Sequence, residues 1–358
     1  MSQTKPLRFA SVDALRGITV AAMLLVNNPG DWGHVYAPLL HAEWHGCTPT
    51  DLIFPFFLFI VGVSISLGIT PRLEAGGDRG ALARGVLWRG AKIIAIGLLL
   101  HALAFWWLDK PWFRPWGVLQ RIGLCFIAAG VIALYLRPRT QWAITIAVLL
   151  GYWAMLAWGG GYAPLDNLAS RIDTALLGPL VYQFDPATGR GHDPEGLLST
   201  LPAIATALLG VRAGDRLRRG EARWLLPAAG LACVLGGVWS WWLPLNKNLW
   251  TSSYVLWTAG WALLALWLAH ALIDRKGLRP WGRSFGVNAI AAYAGSAIMV
   301  YAFAGLGWMQ AIYRHGFAGW MTPRFGPYVP SLAFALAFVL VWWLIVRWMD
   351  RRRWYLKV

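Results

Sequence analysis

The chain is dominated by apolar runs close in length to a membrane-spanning helix. Ten such runs cover residues 10–28, 52–69, 86–108, 117–136, 141–158, 198–211, 223–243, 250–272, 285–305 and 330–349. Crossing a bilayer core takes about 20 residues of helix. Only 13% of the residues are charged, against about 25% in soluble domains. We therefore predict an all-α polytopic membrane protein with about ten transmembrane helices.

The distribution of basic residues indicates the orientation of these helices. The chain has 32 Lys and Arg residues, 16 acidic residues and a formal charge of +16. With ten spans both termini lie on one side, and 24 of the 32 basic residues fall there. Because Lys and Arg are enriched in cytoplasmic loops, we expect both termini to be cytoplasmic. The same bias explains the positive charge without a nucleic-acid partner.

A single membrane domain over residues 1–358 accounts for the chain. The first apolar run lacks a small-x-small cleavage site, so we expect a retained span and not a removed signal peptide. The polar stretch 159–197 carries five acidic residues and is predicted to form a periplasmic loop or cap. Residues 306–322 are predicted to be interfacial or re-entrant, because an eleventh crossing would place the basic tail 351–353 outside.

Proton-handling groups concentrate on the predicted outer side. Five of the seven histidines fall in outer loops, namely His34, His41, His45, His192 and His315. Histidine has an ordinary pKa near 6.5 and is a common general base. Neutral histidine also escapes the positive-inside bias, so the pattern fits both a catalytic site and ordinary loops.

The stretch HAEWHGCTPTDLIFP, residues 41–55, connects these groups to the second span. Thr48 and Asp51 fit a helix start, with the carboxylate three residues after the cap, so a structural role for Asp51 competes with a catalytic one. His41 and His45 are four residues apart, but the spacing matches no strong zinc pattern. We predict no metal, and a histidine in this outer segment is a candidate general base or acetyl carrier.

The first span contains polar residues that an ordinary span would exclude. A charge at mid-membrane costs about 2.5–3.5 kcal/mol on insertion scales, so Asp13 and Arg16, three residues apart, are expected to pair. Asn27 and Asn28 end this span. Their amides could hold a carbonyl oxygen, or they could form an ordinary helix C-terminus before Pro29.

Six sequence blocks occur in the order found in one family of enzymes. They are SVDALRGITVAAMLLVNNPG, HAEWHGCTPTDLIFPFFLFIVGVSI, GVLQRIGL, DPEGLLSTLPAI, LNKNLWTSSYVL and GVNAIAAY, between residues 11 and 293. Together they resemble the heparan-α-glucosaminide N-acetyltransferase family, including bacterial members linked to amino-sugar use.

This resemblance implies a multi-span homodimeric enzyme. It would take acetyl from cytoplasmic acetyl-CoA and deliver it to the amine of a terminal glucosamine across the membrane. The resemblance places the active histidine on His41 and the acetyl-holding asparagine on Asn27. Because the chain starts directly at its first span, we expect a small amino sugar or glycan end as acceptor. We expect the enzyme in a bacterial inner membrane.

The matched blocks and the charge pattern together give the candidate site residues. Catalysis is assigned to His41, Asn27 and Asp51. Arginine binds phosphate bidentately, and contacts with acetyl-CoA, the co-substrate, are assigned to Asp13, Arg16, Asn28, Arg84, Arg89, Gln120 and Arg121. Most of the 25 Trp residues are expected in interfacial belts. Acceptor contacts are assigned to Trp44, Glu195, Asn246, Lys247, Asn248 and Trp250.

Two other functions remain open from the sequence. A permease for amino sugars or oligosaccharides would use the intramembrane charges for gating or proton coupling, although no inverted repeat is visible. An O-acetyltransferase of cell-envelope glycans would share the chemistry with a hydroxyl acceptor.

Overall fold

Helices form most of the chain. The computed structural model describes residues 8–356. Its α-helices are α1 (Ala10–Val26), α2 (Ile53–Gly68), α3 (Thr70–Glu74), α4 (Arg79–Trp107), α5 (Val118–Tyr135), α6 (Pro138–Trp158), α7 (Leu168–Leu177), α8 (Thr200–Arg218), α9 (Leu225–Trp239), α10 (Ser252–Ala269), α11 (Arg283–Val287), α12 (Ala289–Gly305), α13 (Trp308–Tyr313), α14 (Gly319–Phe325) and α15 (Tyr328–Arg351).

Shorter elements connect and extend these helices. A two-stranded antiparallel hairpin, β1 (Gln183–Asp185) and β2 (Arg190–His192), departs from the all-helical prediction. Turns of 3₁₀-helix lie at Ala37–Leu39, Thr50–Leu52, Gly178–Leu180 and Ala222–Trp224, and π-helical turns at His270–Arg275 and Arg314–Ala318.

Seven helices within residues 8–356 are long and apolar enough to cross a membrane. They are Thr50–Glu74, Arg79–Trp107, Val118–Tyr135, Pro138–Trp158, Ala222–Trp239, Ser252–Arg275 and Tyr328–Arg351. An eighth is formed if α12 and the segment Trp308–Phe325 count as one span, although the two are bent by 91°. The chain is therefore a polytopic membrane protein by length and composition.

The predicted count of about ten spans is not confirmed. The run at 10–28 forms α1, which has only 17 residues. The run at 198–211 forms α8, which carries four charged residues in its second half. Most residues of both helices are buried among other helices. Because these helices pack against protein, their sequences need not be as apolar as that of a lipid-facing helix.

Small residues let the central helices approach each other closely. A Cβ at Gly62 of α2 would lie 1.9 Å from the Ala207 carbonyl oxygen of α8, and one at Gly210 would lie 2.0 Å from the Phe59 oxygen. Close packing through small residues is the usual way in which membrane helices associate. It fixes α2, and with it the loop that precedes α2, against the rest of the bundle.

The two ends of the bundle carry different chemistry. Helix α1 is about 25 Å long at 1.5 Å per residue. At its first residues, Arg8 and Asp13 share a cavity with Tyr355 near the end of the described chain. Beyond its last residues lie the 41–52 segment and the 159–197 segment, which contains α7 and the hairpin. The indole N–H of Trp44 joins these two segments by donating to the Tyr162 carbonyl over 2.7 Å.

Candidate functional site

His41 is paired with the carboxylate of Asp51 at the start of α2. The His41 Nδ1 atom lies 2.7 Å from Asp51 Oδ1. Asp51 is fully buried, whereas 46% of the His41 side chain is exposed. A carboxylate on Nδ1 fixes the proton on that nitrogen and leaves Nε2 with its lone pair. The pair therefore presents a basic nitrogen at this end of the bundle, which we call the mouth.

The Asp51 carboxylate is held by three further hydrogen bonds. Its Oδ2 atom accepts from the backbone N–H of Ala42 (3.1 Å), the backbone N–H of Thr48 (2.9 Å) and the Thr48 hydroxyl (3.1 Å). The Tyr254 hydroxyl also donates to the Asp51 carbonyl over 2.5 Å. The bond to the Thr48 N–H is the carboxylate half of a capping box. Asp51 thus starts the helix and orients His41 at the same time.

Lys247 reaches the same imidazole from the loop before α10. Its Nζ atom lies 3.2 Å from Nε2 and 3.3 Å from Nδ1 of His41. Burial lowers the pKa of Lys247, and the carboxylates of Glu195 and Asp51 oppose this only in part. The lysine thus covers the Nε2 side of the imidazole.

The other two reactive groups of the 41–52 segment are less suited to chemistry. The His45 Nδ1 atom lies 3.3 Å from the Asn246 side-chain amide, and burial lowers the pKa of this histidine. Burial and the charge of Asp51 raise the pKa of the Cys47 thiol to about 12. Cys47 is therefore a neutral thiol near pH 7 and a poor nucleophile.

A buried charge network lies beside the His41–Asp51 pair. Arg114 forms ion pairs with Asp193 and with Glu195, the latter over 2.7 Å. Burial works against the charge on Arg114, but the two carboxylates outweigh it and raise its pKa. Arg121 is fully buried and donates to the Gly196 carbonyl over 3.0 Å and to Ser199. These contacts tie the loops before α5 and α8 together.

The residues predicted to contact the acceptor differ in how far they are exposed. Trp44 is half-buried, with its ring 5.0 Å from that of His192. Asn246 is fully buried and caps its own loop by accepting from the Leu249 N–H over 2.8 Å. Asn248 is half-buried. Trp250 is fully buried with its ring 5.1 Å from Phe54, so it offers no open face for a sugar.

The two asparagines at the end of α1 also differ. Asn27 caps the C-terminus of the helix, and its side chain is exposed. Asn28 is buried, and its side-chain amide donates to the Leu24 carbonyl over 2.7 Å. Within residues 8–356 no hydrogen bond joins Asn27 to His41. An exposed amide at this end of α1 is free to approach a ligand, whereas Asn28 is committed to the helix end.

A cavity of 590 Å³ opens at the opposite end of the bundle. Arg8, Arg16 and Arg89 line it together with Asp13. Asp13 accepts from Arg8 over 2.8 Å and from Arg16 over 3.0 Å, so the predicted pair with Arg16 forms. Deeper in the bundle the cavity is lined by apolar side chains, including Phe57, Val61, Leu119 and Ile290.

Only part of the predicted acetyl-CoA set lies at this cavity. Asp13, Arg16 and Arg89 line it, whereas Asn28, Arg84, Gln120 and Arg121 are not among its lining residues. Gln120 is buried and donates to the Pro115 carbonyl over 3.2 Å. Arg84 is exposed on α4.

Four contacts were not predicted from the sequence. Arg8 lines the cavity, Ser64 accepts from Arg16 over 2.6 Å, Tyr254 holds the Asp51 carbonyl, and Arg114 carries the charge network. Of these residues, only Arg114 could have been singled out from the sequence, because it is a basic residue on the predicted outer side, where basic residues are rare. The others depend on tertiary contacts.

These features define a class of protein, a multi-span membrane protein with a histidine–carboxylate pair at one end of its bundle and a basic cavity at the other. The family described as heparan-alpha-glucosaminide N-acetyltransferase, catalytic, matches residues 8–236. The chain belongs to this family.

Two mammalian relatives support the assignment. The human protein named heparan-alpha-glucosaminide N-acetyltransferase is 32% identical, and the mouse protein of the same name is 30% identical, each alignment covering 82% of this chain. The chain spans about half the length of these relatives, 53% and 54%.

Proposed function

We propose that the chain is a transmembrane N-acetyltransferase that moves acetyl from acetyl-CoA to the amine of a glucosamine or another small amino sugar. The observation that carries this proposal is the His41–Asp51 pair, which presents an Nε2 lone pair at the mouth. Family membership supplies the reaction class.

The reaction requires a base because an ammonium cannot attack a thioester. In the direct route His41 Nε2 takes a proton from the acceptor ammonium, and the freed amine attacks the carbonyl carbon of the thioester. The C–S bond breaks, and the thiolate takes the proton from His41. The products are the N-acetyl amine and free CoA, with one proton released from the amide nitrogen. General-base catalysis of this kind contributes about 10²–10⁴ in rate.

A second route passes through an acetyl group carried on His41. Here Nε2 attacks the thioester itself and the CoA thiolate leaves. The thiolate takes a proton from the acceptor ammonium, the freed amine displaces the imidazole, and the amide nitrogen releases its extra proton. Both routes need the same neutral tautomer, which the Asp51 carboxylate selects. In either route the exposed amide of Asn27 would donate to the developing oxyanion, a contribution of about 10²–10³ in rate.

The basic cavity supports the binding of acetyl-CoA. Arg8, Arg16 and Arg89 would bind its phosphates, since guanidinium pairs with phosphate bidentately. The apolar inner wall, with Phe57 and Leu119, would hold the pantetheine arm. Along α2 the distance from Phe57 to Asp51 is about 9 Å at 1.5 Å per residue. The arm would cross this distance to bring the thioester to His41.

The acceptor would bind between the 41–52 segment and the charge network. Trp44 offers a partly open ring for the sugar, and Lys247 would move aside as the amine approaches Nε2. Glu195 and Asn248 complete the polar wall. We propose that this mouth is periplasmic and that the basic cavity is cytoplasmic, because 24 of 32 basic residues fall on the predicted side of the termini.

The proposed number of membrane crossings agrees with this orientation. We propose that α1, α8 and α12 cross the membrane inside a ring formed by the seven apolar helices, in the inner membrane of a bacterium. We further propose that the enzyme is a homodimer, as the family resemblance implies. Acetyl-CoA would be consumed on one side and the product released on the other.

Release of free CoA thiol from acetyl-CoA upon addition of glucosamine tests the proposal. We expect His41→Ala to lower this rate by about 10²–10⁴. His45→Ala is the matched control, because His45 is exposed in the same segment but lacks the carboxylate partner. If both variants keep the wild-type rate, His41 is not the base.

The same preparation separates the two other functions. Uptake of labelled glucosamine into vesicles without acetyl-CoA would show a permease. Mass spectrometry that finds the acetyl group on a hydroxyl oxygen instead of the amine would show an O-acetyltransferase.

A further inference from the structure

A second cavity, of 470 Å³, lies on the side of the bundle between α6, α8 and α9. Its walls are apolar and include Trp142, Leu231 and Leu263. One end is basic and includes Arg216 and Arg219. We call it the α8–α9 groove. None of its lining residues belongs to the basic cavity or to the His41–Asp51 pair.

The position of the groove follows from three helix ends. Two candidate membrane spans begin beside it, at Pro138 and at Ala222, and α8 ends there at Arg218. The arginines therefore lie where the neighbouring spans meet the bilayer surface. Leu231 lies six residues into α9, about 9 Å deeper along the helix axis.

On the side of the groove that faces away from the bundle, no other part of residues 8–356 covers the apolar side chains. On α9, Leu231 and Val234 are each 61% exposed, and on α6 Trp142 is 45% exposed. Exposed apolar side chains on a candidate span face lipid in a membrane protein.

The basic end keeps a positive charge after its ion pairs are counted. Arg212 pairs with Asp215 over 2.7 Å, and Arg216 pairs with Glu221. Arg219 forms no ion pair within the described part of the chain, and it is exposed three residues after Arg216, on the same face of the helix.

We propose that the α8–α9 groove binds an anionic phospholipid, with its phosphate against Arg216 and Arg219 and an acyl chain along Trp142 and Leu231. Charge complementarity selects this occupant, since a phosphate held at the bilayer surface matches arginines at the ends of spans. The apolar walls match the acyl chain, which runs alongside the helices. A zwitterionic lipid has the same chains but cancels the charge. The proposal does not depend on the acetyl-transfer reaction.

Thermal unfolding of the full chain in detergent tests this inference. Phosphatidylglycerol is titrated against phosphatidylcholine with the same acyl chains, and glycerol 3-phosphate serves as the headgroup without chains. We expect phosphatidylglycerol to raise the melting temperature in a saturable manner and the other two compounds to have little effect. In Arg216→Gln/Arg219→Gln the half-saturating concentration is expected to rise by roughly tenfold or more.

Two further variants keep the test decisive. Arg219→Gln alone leaves the Arg216–Glu221 pair in place and should still weaken the lipid effect. Arg79→Gln removes an exposed charge from the same predicted side, away from the groove, and should respond like wild type. Equal responses of all variants, or of both lipids, would overturn the proposal. A strong response to glycerol 3-phosphate alone would overturn it in favour of a phosphate site without a lipid. Loss of a dimer in the groove variants, with no lipid response in wild type, would overturn it in favour of an interface between copies.

Discussion

Replacing Asp51 by asparagine changes one atom in the carboxylate that orients His41. Three donors converge on Oδ2, the N–H groups of Ala42 and Thr48 and the Thr48 hydroxyl, at 2.9–3.1 Å. In the Asp51→Asn variant the amide oxygen must therefore occupy the Oδ2 position. The NH₂ group of the new side chain then faces His41 Nδ1, which the wild-type carboxylate meets at 2.7 Å.

The consequence is a reversed imidazole tautomer. Because an NH₂ group donates, Nδ1 must accept, and the proton moves to Nε2. The lone pair that both proposed routes need is lost. We expect the rate to fall by about 10²–10⁴, which corresponds to roughly 3–5 kcal/mol of barrier. The fold should survive, since the oxygen keeps its three bonds and only charge assistance is lost, about 1–2 kcal/mol.

The assay is CoA thiol release with glucosamine, alongside a thermal melt. The chain offers a matched control in a second histidine–carboxylate pair on the same side, since His34 Nδ1 lies 2.7 Å from Asp31 Oδ2. Asp31→Asn should leave the rate unchanged. A rate for Asp51→Asn within about threefold of wild type, a small change against the general-base contribution, would refute the orienting role of Asp51.

Three further predictions concern the cavity, the charge network and Asp173 of α7. Arg89→Gln should raise the KM for acetyl-CoA about tenfold with a smaller change in kcat, because a charged hydrogen bond contributes about 1.5–3 kcal/mol; an unchanged KM would remove Arg89 from the acetyl-CoA site. Arg114→Met should destabilise the chain by about 3–5 kcal/mol, because it leaves Asp193 and Glu195 buried without their cation; a melting temperature equal to that of wild type would contradict this. Burial raises the pKa of Asp173 to about 7, so the folded chain holds an extra proton that the unfolded chain has lost, and stability should fall as pH rises from about 4 to about 7. Asp173→Asn should flatten this slope in melts across that pH range, and an unchanged slope would assign the dependence to other groups.

Local patterns predicted some of these features well. The three-residue spacing of Asp13 and Arg16 predicted their pair, and the Thr48-to-Asp51 spacing predicted a helix start. Both depend only on helical geometry, which a sequence shows directly. The His41–Asp51 contact spans ten residues of irregular chain, so spacing could not decide between capping and orientation.

Tertiary packing explains where the predictions fell short. Arg114 meets Glu195 across 81 residues, and no local pattern brings the two together. Trp250 was assigned to acceptor contacts, but the fold buries it against Phe54. The count of ten spans is not confirmed, because α1 and α8 are enclosed by other helices and are shorter or more polar than a candidate span.

The central claim is that acetyl crosses the membrane from acetyl-CoA to an amine on the far side. Proteoliposomes that contain radiolabelled acetyl-CoA, with a glucosamine-terminated dextran outside, test it most directly, because neither compound crosses lipid. The account predicts labelled N-acetyl product on the outer dextran, CoA thiol retained inside, and neither in His41→Ala vesicles. Product formed only when both substrates share one compartment would contradict it.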